Sequence, residues 1–136
     1  MALRITMIDD SRESQIRFLQ SLPVDIPVEL QMITSPPFFD KDIERAIMKF
    51  NPALIVLDLL LLEEVDSGFR ILRQLKESEY LKEIPVVVIS KFIGSDRNDK
   101  YRRKSLAFGS VAALPKIPFP KPEEFLKYTK TTDPKP

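Results

Sequence analysis

Ala53-Leu54-Ile55-Val56-Leu57-Asp58 is an unbroken apolar run closed by a single acid. Consecutive apolar side chains leave no face for water, so the segment reads as a strand buried on both sides, as in a parallel sheet covered by helices. An earlier run, Leu3-Arg4-Ile5-Thr6-Met7-Ile8, ends the same way, in Asp9-Asp10. Three carboxylates are thus delivered to strand ends. Unit charges 4 Å apart repel by about 4 kcal/mol in a half-wet site, so a fold that gathers such acids usually supplies a cation. A divalent metal is the first expectation.

The rest of the chain alternates in the same manner. Pro85 to Ile89 and Val111 to Leu114 are further buried strands, and Val28 to Thr34, in which Glu29 and Gln31 alternate with apolar residues, is an edge strand with one wetter face. Segments of helical period lie between them. The first runs from Ser11 to Leu22, with Ile16, Leu19 and Leu22 inward and Pro23 ending it. Asp40 caps the second, which turns Ile43, Ala46, Ile47 and Phe50 to the core. Asp66 or Ser67 caps the third, with Phe69, Leu72 and Leu75 inward. The fourth, Asp96 to Phe108, is the most polar and has Tyr101 and Leu106 as its inward candidates. The fifth opens on Pro122-Glu123-Glu124, followed by Phe125 and Leu126.

The length of 136 residues suits one domain, expected over 1–130, with 131–136 a flexible tail. Apolar residues are 43% and charged residues 30% of the chain, an ordinary globular balance, and the net charge of +1 argues against a surface that seeks nucleic acid as a whole. Without histidine or cysteine there is no imidazole base, no His-ligated zinc and no thiol chemistry, so any metal is held by oxygen. No apolar stretch is long enough to cross a bilayer, and the strand pattern begins at Leu3, so a cytoplasmic protein is expected.

In an open parallel α/β sheet, ligands bind beyond the carboxyl ends of the strands, where the winding reverses. The polar residues at those ends are Asp9, Asp10, Asp58, Ser90 and Lys116. Each alone has a plain structural reading: Asp10, with Glu13 three residues on, has the spacing of a helix cap, and a lone Lys116 is a surface lysine. Their convergence is what speaks for a site.

Ile8-Asp9-Asp10-Ser11, Leu54-Ile55-Val56-Leu57-Asp58-Leu59, Gly68 in the following loop, Pro85-Val86-Val87-Val88-Ile89-Ser90, and Gly109 seven residues before Lys116 together resemble the receiver domain of two-component response regulators. The resemblance spans nearly the whole chain. It implies a flavodoxin-like α/β/α fold, a doubly wound parallel sheet of strand order 2-1-3-4-5. It further implies a stand-alone receiver in which Asp58 accepts a phosphoryl group from a histidine kinase or phosphotransfer protein. Asp9, Asp10, Asp58 and the backbone carbonyl of Leu60 would hold Mg²⁺, Ser90 would bind a phosphoryl oxygen, and Lys116 would pair with the phosphoryl group. Such a protein is not a turnover enzyme, although it can catalyse its own phosphorylation and dephosphorylation. Its output would be contact with a downstream protein at the face of the fourth helix, fifth strand and fifth helix; Lys91, Arg97, Lys100, Arg102, Arg103 and Lys104 read by default as a solvated helix face, and the competing reading is that this partner is acidic.

Some residues depart from the family pattern. Lys91 stands where receivers place a small residue, Ala113 where many have a switching aromatic, and Ile117 separates Lys116 from Pro118. The segment from Leu59 to Gly68 is long and has no proline. These departures speak for an alternative, a receiver-like interaction module that has lost the chemistry. A phosphatase on a similar sheet would want an acid where Leu60 stands, and a flavin carrier would find Asp9-Asp10-Ser11-Arg12-Glu13 repelling its phosphate.

Overall fold

A computed structural model describes residues 2–23, 25–34, 40–59, 65–94, 99–116 and 120–129. The strands are β1 (Leu3–Ile8), β2 (Val28–Ile33), β3 (Leu54–Asp58), β4 (Val86–Ser90) and β5 (Ala112–Pro115). The helices are α1 (Arg12–Ser21), α2 (Lys41–Phe50), α3 (Val65–Glu77), α4 (Lys100–Ala107) and α5 (Pro122–Leu126). All strand pairs are parallel, in the order β2-β1-β3-β4-β5. This is the flavodoxin-like doubly wound sheet, and its winding reverses between β1 and β3.

The period of two along each strand divides the core into two layers. Ile5, Met7, Leu54, Val56, Val87, Ile89 and Ala112 face α1 and α5, where Phe18 and Phe125 stack with ring centroids 5.2 Å apart. Ile8, Ile55, Leu57, Val86, Val88 and Ala113 face Ile47 of α2 and Phe69, Ile71, Leu72 and Leu75 of α3. β2 is the edge strand expected, its apolar residues only half-buried. Asp40 caps α2 as expected, its Oδ1 accepting the Ile43 N–H at 2.9 Å. Gly109, at φ +106°, turns the chain out of α4 toward β5.

The inward stripe expected of α1 is not the one found. Ile16 and Leu19 are 45% and 52% exposed, whereas Phe18 is fully buried and Ser14 nearly so. One ring able to bury on the order of 200 Å² against Phe125 outweighs two branched aliphatic chains, and the helix is rolled to suit it. We expect Ile16→Gln and Leu19→Gln each to change stability by no more than about 0.5 kcal/mol in urea unfolding. A loss above about 2 kcal/mol would return these residues to the core.

Other details depart in the same way. Ala46 is exposed while its neighbour Ile47 is buried. Leu106 is 45% exposed, and the α4 position turned inward is Ser105, whose hydroxyl donates to the Tyr101 carbonyl at 2.7 Å. Tyr101 does pack against the core. α3 begins at Val65, so Asp66 and Ser67 lie inside its first turn and are not its cap, and Gly68 belongs to the helix, not to the loop before it. β5 starts one residue late, leaving Val111 42% exposed. The start of the fourth helix at Asp96 and the 131–136 tail lie outside the described residues. Among the described residues, no helix is long and apolar enough to cross a membrane.

Candidate functional site

Strand register builds the site. Ile8 lies beside Leu57, so the next residues, Asp9 and Asp58, leave the sheet at the same level. Asp58 lies beside Ile89, which puts Ser90 one step on, and Ser90 lies beside Pro115, which puts Lys116 one step beyond that. Residues far apart in sequence therefore share the carboxyl edge of three central strands and β5.

Carboxylate oxygens of Asp9, Asp10 and Asp58 all lie within 4.8 Å of one another. Lys116 Nζ stands 2.6 Å from Asp58 Oδ2 and 3.4 Å from Asp9 Oδ2. Asp9 is fully buried and Asp58 nearly so, whereas Asp10 is partly exposed. The Ser11 N–H donates to Asp9 Oδ1 at 2.7 Å and holds that carboxylate in place. Asp10 does not cap α1. Ser11 does, its Oγ accepting the Ser14 N–H at 3.2 Å, and the Asp10 carboxylate lies in the cluster. Two hydroxylated or acidic residues in succession offer alternative caps with the same spacing, so only the backbone decides between them.

Electrostatics at this edge are unbalanced. Burial, and next the charge of Asp58, push the Asp9 carboxyl up to about 7, against the pull of the Ser11 N–H and Lys116. Burial alone would weaken the Lys116 ammonium, but its hydrogen bond and attraction to Asp58, then to Asp9, hold it above the usual lysine range. Three carboxyl groups share one ammonium, so negative charge is in excess once Asp9 is ionised. A hard divalent cation fits this donor set: it accepts carboxylate oxygens, keeps water ligands on its open side and cancels the excess. Asp9, Asp10 and Asp58 are the residues that would hold it; the Leu60 carbonyl lies outside the described residues.

Ser90 is fully buried, and its Oγ accepts the Phe92 N–H at 3.1 Å while its carbonyl accepts the Lys116 N–H at 3.0 Å. Lys91 is exposed, with its ammonium 5.5 Å from the Phe92 ring centroid. Ala113 is buried, and its carbonyl accepts from Arg102 Nε at 3.2 Å. Ile117 and Pro118 lie outside the described residues.

The roles of two residues escaped the sequence reading. Ser11 orients Asp9, and Gly68 lies so close to β3 that an added Cβ would fall 2.2 Å from the Leu59 carbonyl oxygen. Ser11 is ambiguous beside Asp10. A glycine at the start of a helical pattern could have raised the second possibility.

No protein-family model matches this sequence, and no curated protein matches it; the likeness is carried by structure. A response regulator from Chloroflexus aurantiacus J-10-fl, described as putative, superposes with a TM-score of 0.72 at 17% identity, over 93% of each chain. The phosphorylated cyanobacterial phytochrome response regulator RcpA is similar at a TM-score of 0.59 and 24% identity, covering 85% of this chain and 81% of that one. The Mn²⁺-bound form of the response regulator Rcp1 gives 0.56 at 22% identity, over 84% and 81%. With its strand order, its two helical layers and the acids at the carboxyl edge of β1 and β3, this chain has the fold of a response-regulator receiver domain.

Proposed function

We propose that this chain is a signalling receiver that accepts a phosphoryl group on Asp58. One observation carries the reading: carboxylates from two adjacent strand ends meet Lys116 in a single cluster, with Asp58 bonded to the ammonium at 2.6 Å. An Asp58 oxygen attacks phosphorus as the bond from phosphorus to the donor imidazole breaks, giving an aspartyl phosphate and a free histidine on the kinase or phosphotransfer protein. Bound Mg²⁺ would spread the charge of the phosphoryl oxygens. Lys116 already sits on the attacked carboxylate and needs only to turn to a phosphoryl oxygen to keep its charge paired. Asp9 and Asp10 supply the other carboxylates of the metal site.

The output runs through the segment after β4. A phosphoryl oxygen that draws the Ser90 hydroxyl competes with the bond from Phe92 N–H to Ser90 Oγ. Beyond it, Asp99 Oδ1 accepts the Gly94 N–H at 3.4 Å, Arg102 pairs with Asp99 at 2.7 Å, and Arg102 also holds the Ala113 carbonyl. This polar clamp ties the loop to α4 and β5, where other receivers have a β5 aromatic. Its release would alter the face of α4, β5 and α5, on which Leu106 and Val111 are exposed, and so change contact with a downstream protein. Such a protein works in the cytoplasm, without turnover of a substrate and without direct contact with DNA.

Acetyl phosphate or beryllofluoride with Mg²⁺ tests the reading. The parent chain is expected to gain one phosphoryl mass from the first and to shift the amides of Ser90, Phe92 and α4 with either. Asp58→Asn is expected to do neither. Identical responses from the two proteins would remove Asp58 from the role, and silence from both would favour the interaction module that has lost the chemistry.

A further inference from the structure

Four aromatic rings run in contact across the side of the molecule between α3 and α4. Phe92 lies 5.8 Å from Tyr101, Tyr101 lies 6.2 Å from Phe69, and Phe69 meets Phe108 edge-on at 5.7 Å. A cation stands over each. Lys91 is 5.5 Å from the Phe92 centroid, Lys100 5.5 Å from Tyr101, Lys104 4.3 Å from Phe69 and 5.6 Å from Phe108, and Arg73 5.9 Å from Phe108.

Three cations of α4 differ in direction. Arg102 turns to β5 and is consumed by Asp99 and the Ala113 carbonyl, Lys104 leans over Phe69 of α3, and Lys100 lies beside the Tyr101 ring that neighbours Phe69. Among the described residues, no carboxylate stands within 4.0 Å of Lys91, Lys100 or Lys104, and Arg73 meets Glu77 only at 3.7 Å. A ring holds a cation in place without cancelling its charge. The result is a row of positive charges already ordered, so that a partner meets them without the usual loss of side-chain freedom.

We infer that this row of cations along the α3–α4 side docks an acidic peptide segment of another protein, and that it, not the α4, β5 and α5 face, carries the attraction for acidic partners. Phe69 is buried, and Phe92, Tyr101 and Phe108 are half-buried with a cation beside each, a poor platform for a stacking nucleobase. α4 spans only eight residues, about 12 Å, room for three or four residues of extended peptide but for few phosphates. The near-neutral chain also lacks the long-range field that polyanion binding relies on. None of this depends on Asp58 being phosphorylated.

A peptide of six Glu-Ser repeats, titrated into the isotope-labelled full chain, tests this surface against a Lys-Ser peptide and a twelve-nucleotide oligothymidine. The amides of Arg73, Lys100, Lys104 and Phe108 should move with the acidic peptide alone, and added salt should weaken the effect. Lys104→Glu should raise the midpoint by about tenfold or more. Lys104→Met, which keeps a long chain over Phe69 but drops the charge, should raise it by about threefold, separating lost charge from a disturbed fold. Asp58→Asn should bind as the parent does, so a failure of the phosphoryl reading would leave this one standing. Shifts spread over the whole surface, an unchanged midpoint in Lys104→Met, or tighter binding of the oligothymidine would each overturn it.

Discussion

In metal-free buffer at pH 8, Asp9→Asn should be more stable than the parent chain by on the order of 2 to 4 kcal/mol. Folding raises the Asp9 carboxyl from 3.8 to about 7, first because it is buried and then because Asp58 is charged beside it. A carboxyl raised by folding binds its proton more tightly in the native state. That stability is complete below about pH 4 and is lost as pH rises through about 7. The asparagine amide is neutral throughout, and its oxygen can still accept the Ser11 N–H, so the variant escapes the loss. Urea unfolding in a chelator should show the gap between variant and parent widening from pH 5 to pH 8. A gap that is flat or narrows would contradict the electrostatic account.

Magnesium should close most of this gap. A ligand that binds only the folded state adds about 2.7 kcal/mol at a hundredfold excess over its dissociation constant. The parent, with three carboxylates, should gain this, and the variant, with two, should gain much less. Equal gains would remove Asp9 from the metal site. Because Asp58 is the second cause of the Asp9 shift, Asp58→Asn should also shrink the gain from Asp9→Asn, making the two substitutions less than additive in the chelator.

What could be read without coordinates follows from how locally each feature is determined. The runs Leu3 to Ile8, Ala53 to Leu57 and Pro85 to Ile89 are buried on both faces from Ile5, Ala53 and Val86 onward, a condition that mostly apolar side chains express, and each lies within a residue of its strand. The site was legible for a related reason: a parallel sheet forces every strand's carboxyl end to one edge, so Asp9, Asp58, Ser90 and Lys116 converge once the strands are known. The faces of helices were less legible. On α1 the choice between Phe18 and the pair Ile16 and Leu19 depends on Phe125, more than a hundred residues away, and no local period contains it. On α4 a hydroxyl is expected outward, and the inward place of Ser105 is made possible by its bond to the Tyr101 carbonyl one turn back, which offsets the burial.

Gly68 was read from the sequence as part of a loop, and its place in the first turns of α3 sets up the strongest steric prediction. Alanine there would gain about 1 kcal/mol in helix propensity, because glycine is the poorest helix former after proline. Against this, a Cβ would lie 2.2, 2.4 and 2.6 Å from the carbonyl oxygen, Cα and carbonyl carbon of Leu59. These are backbone atoms of a residue with no exposed surface, and its N–H is bonded to the Ile89 carbonyl at 3.2 Å, so no flexible side chain can yield. Either α3 lifts from the sheet, opening space around Phe69 and Leu72, or Leu59 leaves β4. The steric cost exceeds the gain in propensity, and Gly68→Ala should lose at least about 3 kcal/mol in urea unfolding. Since Leu59 directly follows Asp58, the same shift should slow labelling by acetyl phosphate even in the fraction that remains folded. A control such as Ala46→Gly, at an exposed position of α2, should cost only about 1 kcal/mol and leave labelling unchanged. If Gly68→Ala proves as stable as the parent, the close approach of α3 to the end of β3 is wrong, and with it the account of how Asp58 is positioned.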